Sequence, residues 1–255
     1  MQSNLPFHPR KYLYRAFTAA SVLQAQILED ARKLSDARTH LRDPTAANIP
    51  DHTRRFPAIS KLSVSEYGTS SGTGTYLTFE ICCPFDNCPR RLLYIAKRLG
   101  ADEFFLIKFT RQYAIELHDF CAKEGHAPSI LGYERLPGGW FAVAMEYIEP
   151  DISITKSASD VLTLHRDRWT EELKHLVGSF HAIDLVHGDL RDANIICKGE
   201  KVMLIDFDWG GKVGEAFYPT LDLNPELLEG RTSDGFGITK DDDVCVLAMT
   251  LGKLL

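Results

Sequence analysis

A chain of 255 residues, 44% hydrophobic and 25% charged, can bury a substantial core in one large domain or two lobes and reads as globular. Its formal charge of −6 is segregated: residues 1–57 carry nine Lys/Arg against five Asp/Glu, leaving −10 for the remainder, a balance that argues against a nucleic-acid partner. The start, MQSNLPFHPRKYLYRAF, has no signal-peptide core, and no run reaches the roughly 18 apolar residues of a membrane span, so the expectation is a soluble, intracellular protein, cytoplasmic in the first place with a nuclear location left open, and with no membrane partner.

From Phe17 to Leu34, apolar residues at Ala20, Leu23, Ile27, Ala31 and Leu34 trace one face of a helix, expected to pack on the main body or on a partner. Residues 43–57 contain three prolines and few large apolar residues, the composition of a linker. The runs TYLTFEI, RLLYIAKRL and EFFLIKF are rich in β-branched and aromatic residues and predict strands, with GAD turning the last two into a hairpin. RQYAIELHDFCAKEG spaces Tyr113, Leu117, Phe120 and Cys121 as a helix face, and ILGYERL, PGG and WFAVAMEYI predict two further strands about a tight turn. Beyond Pro150 the pattern is helical: Trp169, Leu173, Leu176, Val177 and Phe180 precede the stretch LVHGDLRDANI, and DDDVCVLAMTLGKLL closes the chain as an apolar helix with acids at its amino end. Cys82, Cys83 and Cys88 cluster, but with neither a C-x-x-C pair nor a fourth ligand they read as reduced thiols rather than a zinc site.

LVHGDLRDANI, followed by VMLIDFDWGG, concentrates the chemistry. Phosphoryl transfer needs magnesium against the phosphates, a carboxylate for the acceptor hydroxyl, and cations on the moving charge. Asp189 and Asn194, five apart in a loop after a helix, can present an acceptor-facing carboxylate and a metal-facing amide from one turn; Asp206, behind VMLI, sits at the end of a buried strand that can aim it at the same magnesium.

His187, Asp189, Asn194 and Asp206-Phe207-Asp208 resemble the catalytic loop and metal-binding segment of the protein kinase-like superfamily, nearest to atypical kinases and aminoglycoside or choline kinase-like proteins, which have HGD in place of HRD. IKFTRQYAIELHDFCAKEGHAP and LPGGWFAVAMEYI are similar to kinase-like proteins of filamentous fungi, and the resemblance covers roughly residues 60–255. It implies an α+β, bilobal protein kinase-like fold: an amino-terminal helical extension and linker over 1–57, a small antiparallel sheet lobe with one helix over 58–148, and a short, mainly helical carboxyl lobe over 149–255. It implies ATP and Mg2+ as cofactors and a protein or small-molecule hydroxyl as acceptor. Asp189 resembles the catalytic base and Asn194 and Asp206 the metal ligands. Lys108 looks like the strand lysine that grips the phosphates, with Glu116 as its ion-pair partner. Glu146 to Ile148 look like the hinge that hydrogen-bonds adenine, with Met145 against the purine. Arg191 takes the place of a γ-phosphate-directed lysine, in a supporting role.

The pattern departs in several places. His165-Arg166-Asp167 matches the kinase triplet textually, but position 172 is Glu where Asn is needed, so it reads as a solvated helix start. GTSSGTG, residues 68–74, could wrap phosphates through its amides, yet Gly74 lies 34 residues before Lys108, and it reads as a surface loop; by strand count the matching loop is CCPFDNCPRR, which has no glycine. Gly188 removes the arginine that pairs with a phosphorylated activation loop, and no A-P-E follows Asp206. Three functions stand against one another: a protein kinase, a small-molecule kinase, and a kinase-shaped binding module without nucleotide. The complete set of charged positions argues against the third and the missing glycine loop for it; between the first two, protein is the first choice of acceptor by a narrow margin.

Overall fold

The computed structural model describes residues 59–64, 76–87, 91–149, 152–156, 159–198, 200–220, 223–229 and 235–254, together with Glu29 and Arg231. Apart from Glu29, the predicted helix over 17–34 lies outside the described residues, as do the linker 43–57 and the segment 68–74. Phe56–Leu255 form one compact unit.

Alternation of large apolar side chains builds a six-stranded antiparallel sheet from β1 (Lys61–Ser63), β2 (Tyr76–Pro84), β3 (Leu93–Arg98), β4 (Phe104–Thr110), β5 (Ile130–Leu136) and β6 (Trp140–Glu146), in the order β1-β2-β3-β4-β6-β5. In β4, Phe105, Ile107 and Phe109 point to one face and are buried with Leu62, Leu77, Phe79, Ala96, Ala142 and Ala144; period-two alternation therefore sends Leu106 and Lys108 to the other face. Phe79 and Phe105 meet edge to face at 5.5 Å. Full burial of each such side chain is worth roughly 1.5–3 kcal/mol. The two end strands approach each other: Ser63 N donates to Glu134 Oε2 at 3.1 Å, tying β1 to β5. The GAD hairpin between β3 and β4 and the Pro137–Gly139 turn between β5 and β6 form as predicted.

α1 (Ile115–Lys123) starts four residues later than the sequence pattern allows, because Thr110 Oγ1 bonds Gln112 O at 2.9 Å and holds a turn at 110–112. Its buried face is Ile115, Leu117, His118 and Cys121. After β7 (Ile152–Ser153), α2 (Ser159–Ala182) buries Trp169, Leu173, Leu176, Val177 and Phe180 in a larger second core. His165-Arg166-Asp167 falls inside this helix rather than at its start; His165 stacks on Trp169 at 5.4 Å and the Asp167 side chain is 93% exposed, so the triplet is solvated surface.

Two small sheets then set the register of the catalytic-loop candidates. β8 (Leu185–Val186) pairs with β11 (Gly211–Lys212), and β9 (Ile195–Lys198) forms a hairpin with β10 (Lys201–Leu204), with β7 on its other side. α3 (Pro225–Glu229) and α4 (Lys240–Gly252) close the second core. α4 begins with a capping box in which Thr239 and Asp242 exchange side-chain and backbone hydrogen bonds. No helix among the described residues is long and apolar enough to cross a membrane.

Candidate functional site

The strand register determines what faces the second core. Lys108 on β4 is opposite Leu93 on β3 and Val143 on β6, and Leu106 is opposite Met145. Leu93, Leu106, Lys108 and Met145 consequently form one wall of a cavity of about 430 Å3. The end of β6 adds Glu146 and the chain beyond it Ile148, and the opposite wall is Asn194, Ile196, Ile205, Asp206 and Asp208.

Hairpin geometry joins the two halves of the opposite wall. Leu204 pairs with Ile195, and Ile205 N donates to Asn194 O at 3.0 Å, so Asn194 and Asp206 sit side by side although 12 residues separate them. Asp206 has φ +66°, a left-handed conformation that is uncommon outside glycine and tends to mark functional positions. Phe207 anchors it: the ring is buried, stacks on His118 at 4.5 Å and packs on Tyr113 and His187, while its carbonyl accepts from Ala114 N at 2.9 Å. His118 is itself locked, with Nε2 donating to Pro128 O and Nδ1 accepting from Tyr113 O–H, both at 2.7 Å. Burial pushes this imidazole down to about 4, against weaker opposition from the Pro128 carbonyl.

Lys108 Nζ lies 2.5 Å from Asp206 Oδ1 and 2.8 Å from Asp208 Oδ1. Desolvation opposes the ammonium, but the two carboxylates outweigh it and raise its pKa. Desolvation likewise opposes the Asp206 carboxylate, and Lys108 holds it below its ordinary range; Asp208, where desolvation and the Asp206 charge together exceed the help from Lys108, is raised.

The loop from His187 to Asn194 is held from below. Asp243, 1% exposed on α4, accepts from His187 N and Gly188 N, each at 2.7 Å, and meets His181 Nε2 at 3.2 Å. Gly188 has φ +80°, and a Cβ there would stand 2.8 Å from Ile238 Cδ1, which gives a local reason for HGD where other sequences have HRD. Asn194 Nδ2 donates to Asp189 O at 3.1 Å, turning its amide oxygen the other way. Arg191 grips Asp189 with both prongs, Nε to Oδ1 at 2.6 Å and Nη2 to Oδ2 at 2.7 Å.

The cavity thus gathers Lys108, Met145, Glu146, Ile148, Asn194 and Asp206, while Asp189 and Arg191 stand behind Asn194. The expected Lys108–Glu116 pair is replaced. Lys108 is held by Asp206 and Asp208, and Glu116 Oε2 lies 3.5 Å from Lys212 Nζ. The reason is helix phase: the residue of α1's approach that meets the Asp-Phe-Asp segment is Ala114, two positions before Glu116. Arg191 points at Asp189 rather than standing free for a phosphate. The loop between β2 and β3 is the glycine-free one that strand counting selects, and Phe85 and Arg91 from it line the cavity. From the sequence, Asp208 belongs to the metal-binding segment but has no expected contact with Lys108; His118 and Asp243 are not among the candidates, since Asp243 reads only as one of three acids at a helix start and nothing local marks His118.

No family model matches the chain, and no curated protein matches it. Among solved structures, the PK-1 kinase of Cydia pomonella granulovirus superposes with a TM-score of 0.53 at 14% sequence identity, over 69% of this chain and 68% of that one. The chain has a protein kinase-like fold. Within that fold, the β2–β3 loop, the Lys108 strand, the segment after β6 and the two acid-bearing turns share one cleft.

Proposed function

We propose that this chain is an ATP- and magnesium-dependent phosphotransferase that delivers the γ-phosphoryl group to a protein hydroxyl, with 58–148 forming the nucleotide lobe and 149–255 the catalytic lobe. The observation that carries this reading is the single cavity lined by Lys108 on one wall and by Asn194 and Asp206, distant from it in sequence, on the other, in a volume suited to a small-molecule ligand. Glu146, the last residue of β6, and Ile148, just beyond it, would offer backbone hydrogen bonds to a purine, and Met145 its side chain to the ring face.

The donor set also fits magnesium. Asp206, Asp208 and the free side of the Asn194 amide are oxygen donors on one wall, the chemistry a hard divalent cation selects. Bound there, the ion supplies positive charge to the β- and γ-phosphates. The remaining work falls to side chains: Lys108 exchanges part of its carboxylate contact for phosphate oxygens, Asp189 accepts the acceptor's hydroxyl proton, and Arg191 fixes the orientation of that carboxylate. A thermal-shift titration with ATP and Mg2+, each alone and together, tests the reading, since a ligand at 100 times its Kd stabilises the fold by about 2.7 kcal/mol. Stabilisation by the pair is expected; no shift under any combination overturns it. With γ-labelled ATP, label is expected in protein substrates, and transfer only to aminoglycosides or choline would move the acceptor to the small-molecule class.

A further inference from the structure

The cover of the cleft has no glycine between β2 and β3, so the backbone cradle that usually neutralises a triphosphate is missing from the sequence of this loop. Among its described residues, Phe85 at its start and Arg91 at its end reach the cavity instead. Phe85 packs edge-on against Tyr147, beyond β6, at 6.4 Å, which ties the start of the cover to the segment proposed to hold the purine. Both ends of the loop are bent sharply: Asp86 has φ +53° and Leu92 φ +51°, and a left-handed leucine is a genuine outlier that surrounding structure must impose. Leu92 O accepts from Phe109 N at 2.8 Å on β4, which pins the residue directly after Arg91 beside the strand that carries Lys108.

The charges point the same way. Among the described side chains that line the cavity, Lys108 and Arg91 are the two cations, against Glu146, Asp206 and Asp208. Lys108 is already engaged by two carboxylates. Among the described residues, Arg91 makes a 3.6 Å ion pair with Asp86, both side chains being more than half exposed, and its charge also acts on Asp206 across the cavity. An exposed pair such as that with Asp86 is worth little in water and is readily exchanged. A guanidinium presents a planar fork that matches phosphate oxygens.

We propose that Arg91 is a phosphate-binding residue, supplying by side-chain charge at the cavity mouth what a glycine-rich loop supplies by backbone amides. The proposal rests on the reading of the cavity as a nucleotide site, and the test separates the two. Binding of ATP, adenosine and inorganic triphosphate is measured by calorimetry for the wild-type chain, Arg91→Ala and Arg91→Lys, in EDTA and again with Mg2+. Arg91→Ala is expected to weaken ATP and triphosphate about tenfold to a hundredfold, the range of one charge-assisted hydrogen-bond pair, with adenosine unchanged and Arg91→Lys intermediate. Asp86→Asn, which releases the guanidinium, is expected to leave ATP binding equal or tighter. Equal losses for ATP and adenosine would show a structural role and overturn the proposal, as would unchanged ATP affinity in Arg91→Ala. A wild-type chain that binds neither ATP nor adenosine sinks the nucleotide reading itself.

Discussion

Lys108 shows how much a single side chain depends on its neighbours. An ammonium on a strand would be solvated and loose; here two carboxylates from one turn keep it charged and aimed into the cavity, although desolvation works against it. Asp208 is the acid that makes this arrangement differ from a lysine–glutamate pair. Asp208→Asn is therefore expected to reduce kcat/KM for ATP about tenfold, the effect of losing one charged contact, whereas Glu116→Gln, at the Lys212 contact, leaves it unchanged; steady-state kinetics on both variants decides between them. Asp206→Ala is expected to abolish magnesium-dependent nucleotide turnover while the protein stays folded by circular dichroism, and unchanged turnover would remove Asp206 from the mechanism.

At the scale of elements, the site is held by contacts among short pieces, and several of them leave no room. β11 runs against β8 with Gly210 at the approach: a Cβ there would meet Val186 O at 2.9 Å and Ala114 Cβ and Leu117 Cδ2 at 3.0 Å each. Backbone and packed side chains cannot all give way, so Gly210→Ala is expected to lower stability by about 1–3 kcal/mol in urea unfolding, the usual cost of overpacking. α4 carries a different device. Its capping box orders the first turn, and the same turn brings Asp243 under the His187-Gly188 amides. Thr239→Ala is expected to cost about 1 kcal/mol, and the loss should appear as reduced hydrogen-exchange protection at His187 and Gly188 as well as in α4.

For the whole molecule, His118 couples the sheet-side helix to the Phe207 anchor and gives stability a pH dependence of definite sign. Its folded pKa, down at about 4, lies below the ordinary 6.5, so the unfolded chain takes up a proton that the native chain refuses. This contribution is complete above pH 6.5 and is lost as pH falls toward 4, at up to about 1.4 kcal/mol per unit and roughly 3 kcal/mol in all. Urea unfolding at pH 7 and pH 4.5 is expected to show that drop in the wild-type chain and a distinctly smaller one in His118→Gln, whatever the variant's absolute stability.

The sequence by itself determined the strands and helices whose periodicity is strong: the hairpin carrying Lys108, the Pro137–Gly139 turn, the Trp169 helix face and the apolar strand before Asp206 follow from local spacing, because alternation and helical repeat are properties of neighbouring residues, whereas the roles of Asp189, Asn194 and Asp206 came from the family resemblance. Strand counting also picked out the glycine-free cover loop. What only the tertiary structure decided is which charges meet. Whether Lys108 pairs with position 116 or with 206 and 208 depends on the phase of α1 against the Asp-Phe-Asp turn, and whether Asp243 supports a helix dipole or a loop 56 residues earlier depends on how α4 packs. Those are long-range geometries, set by packing of the two cores, and no window of sequence contains them.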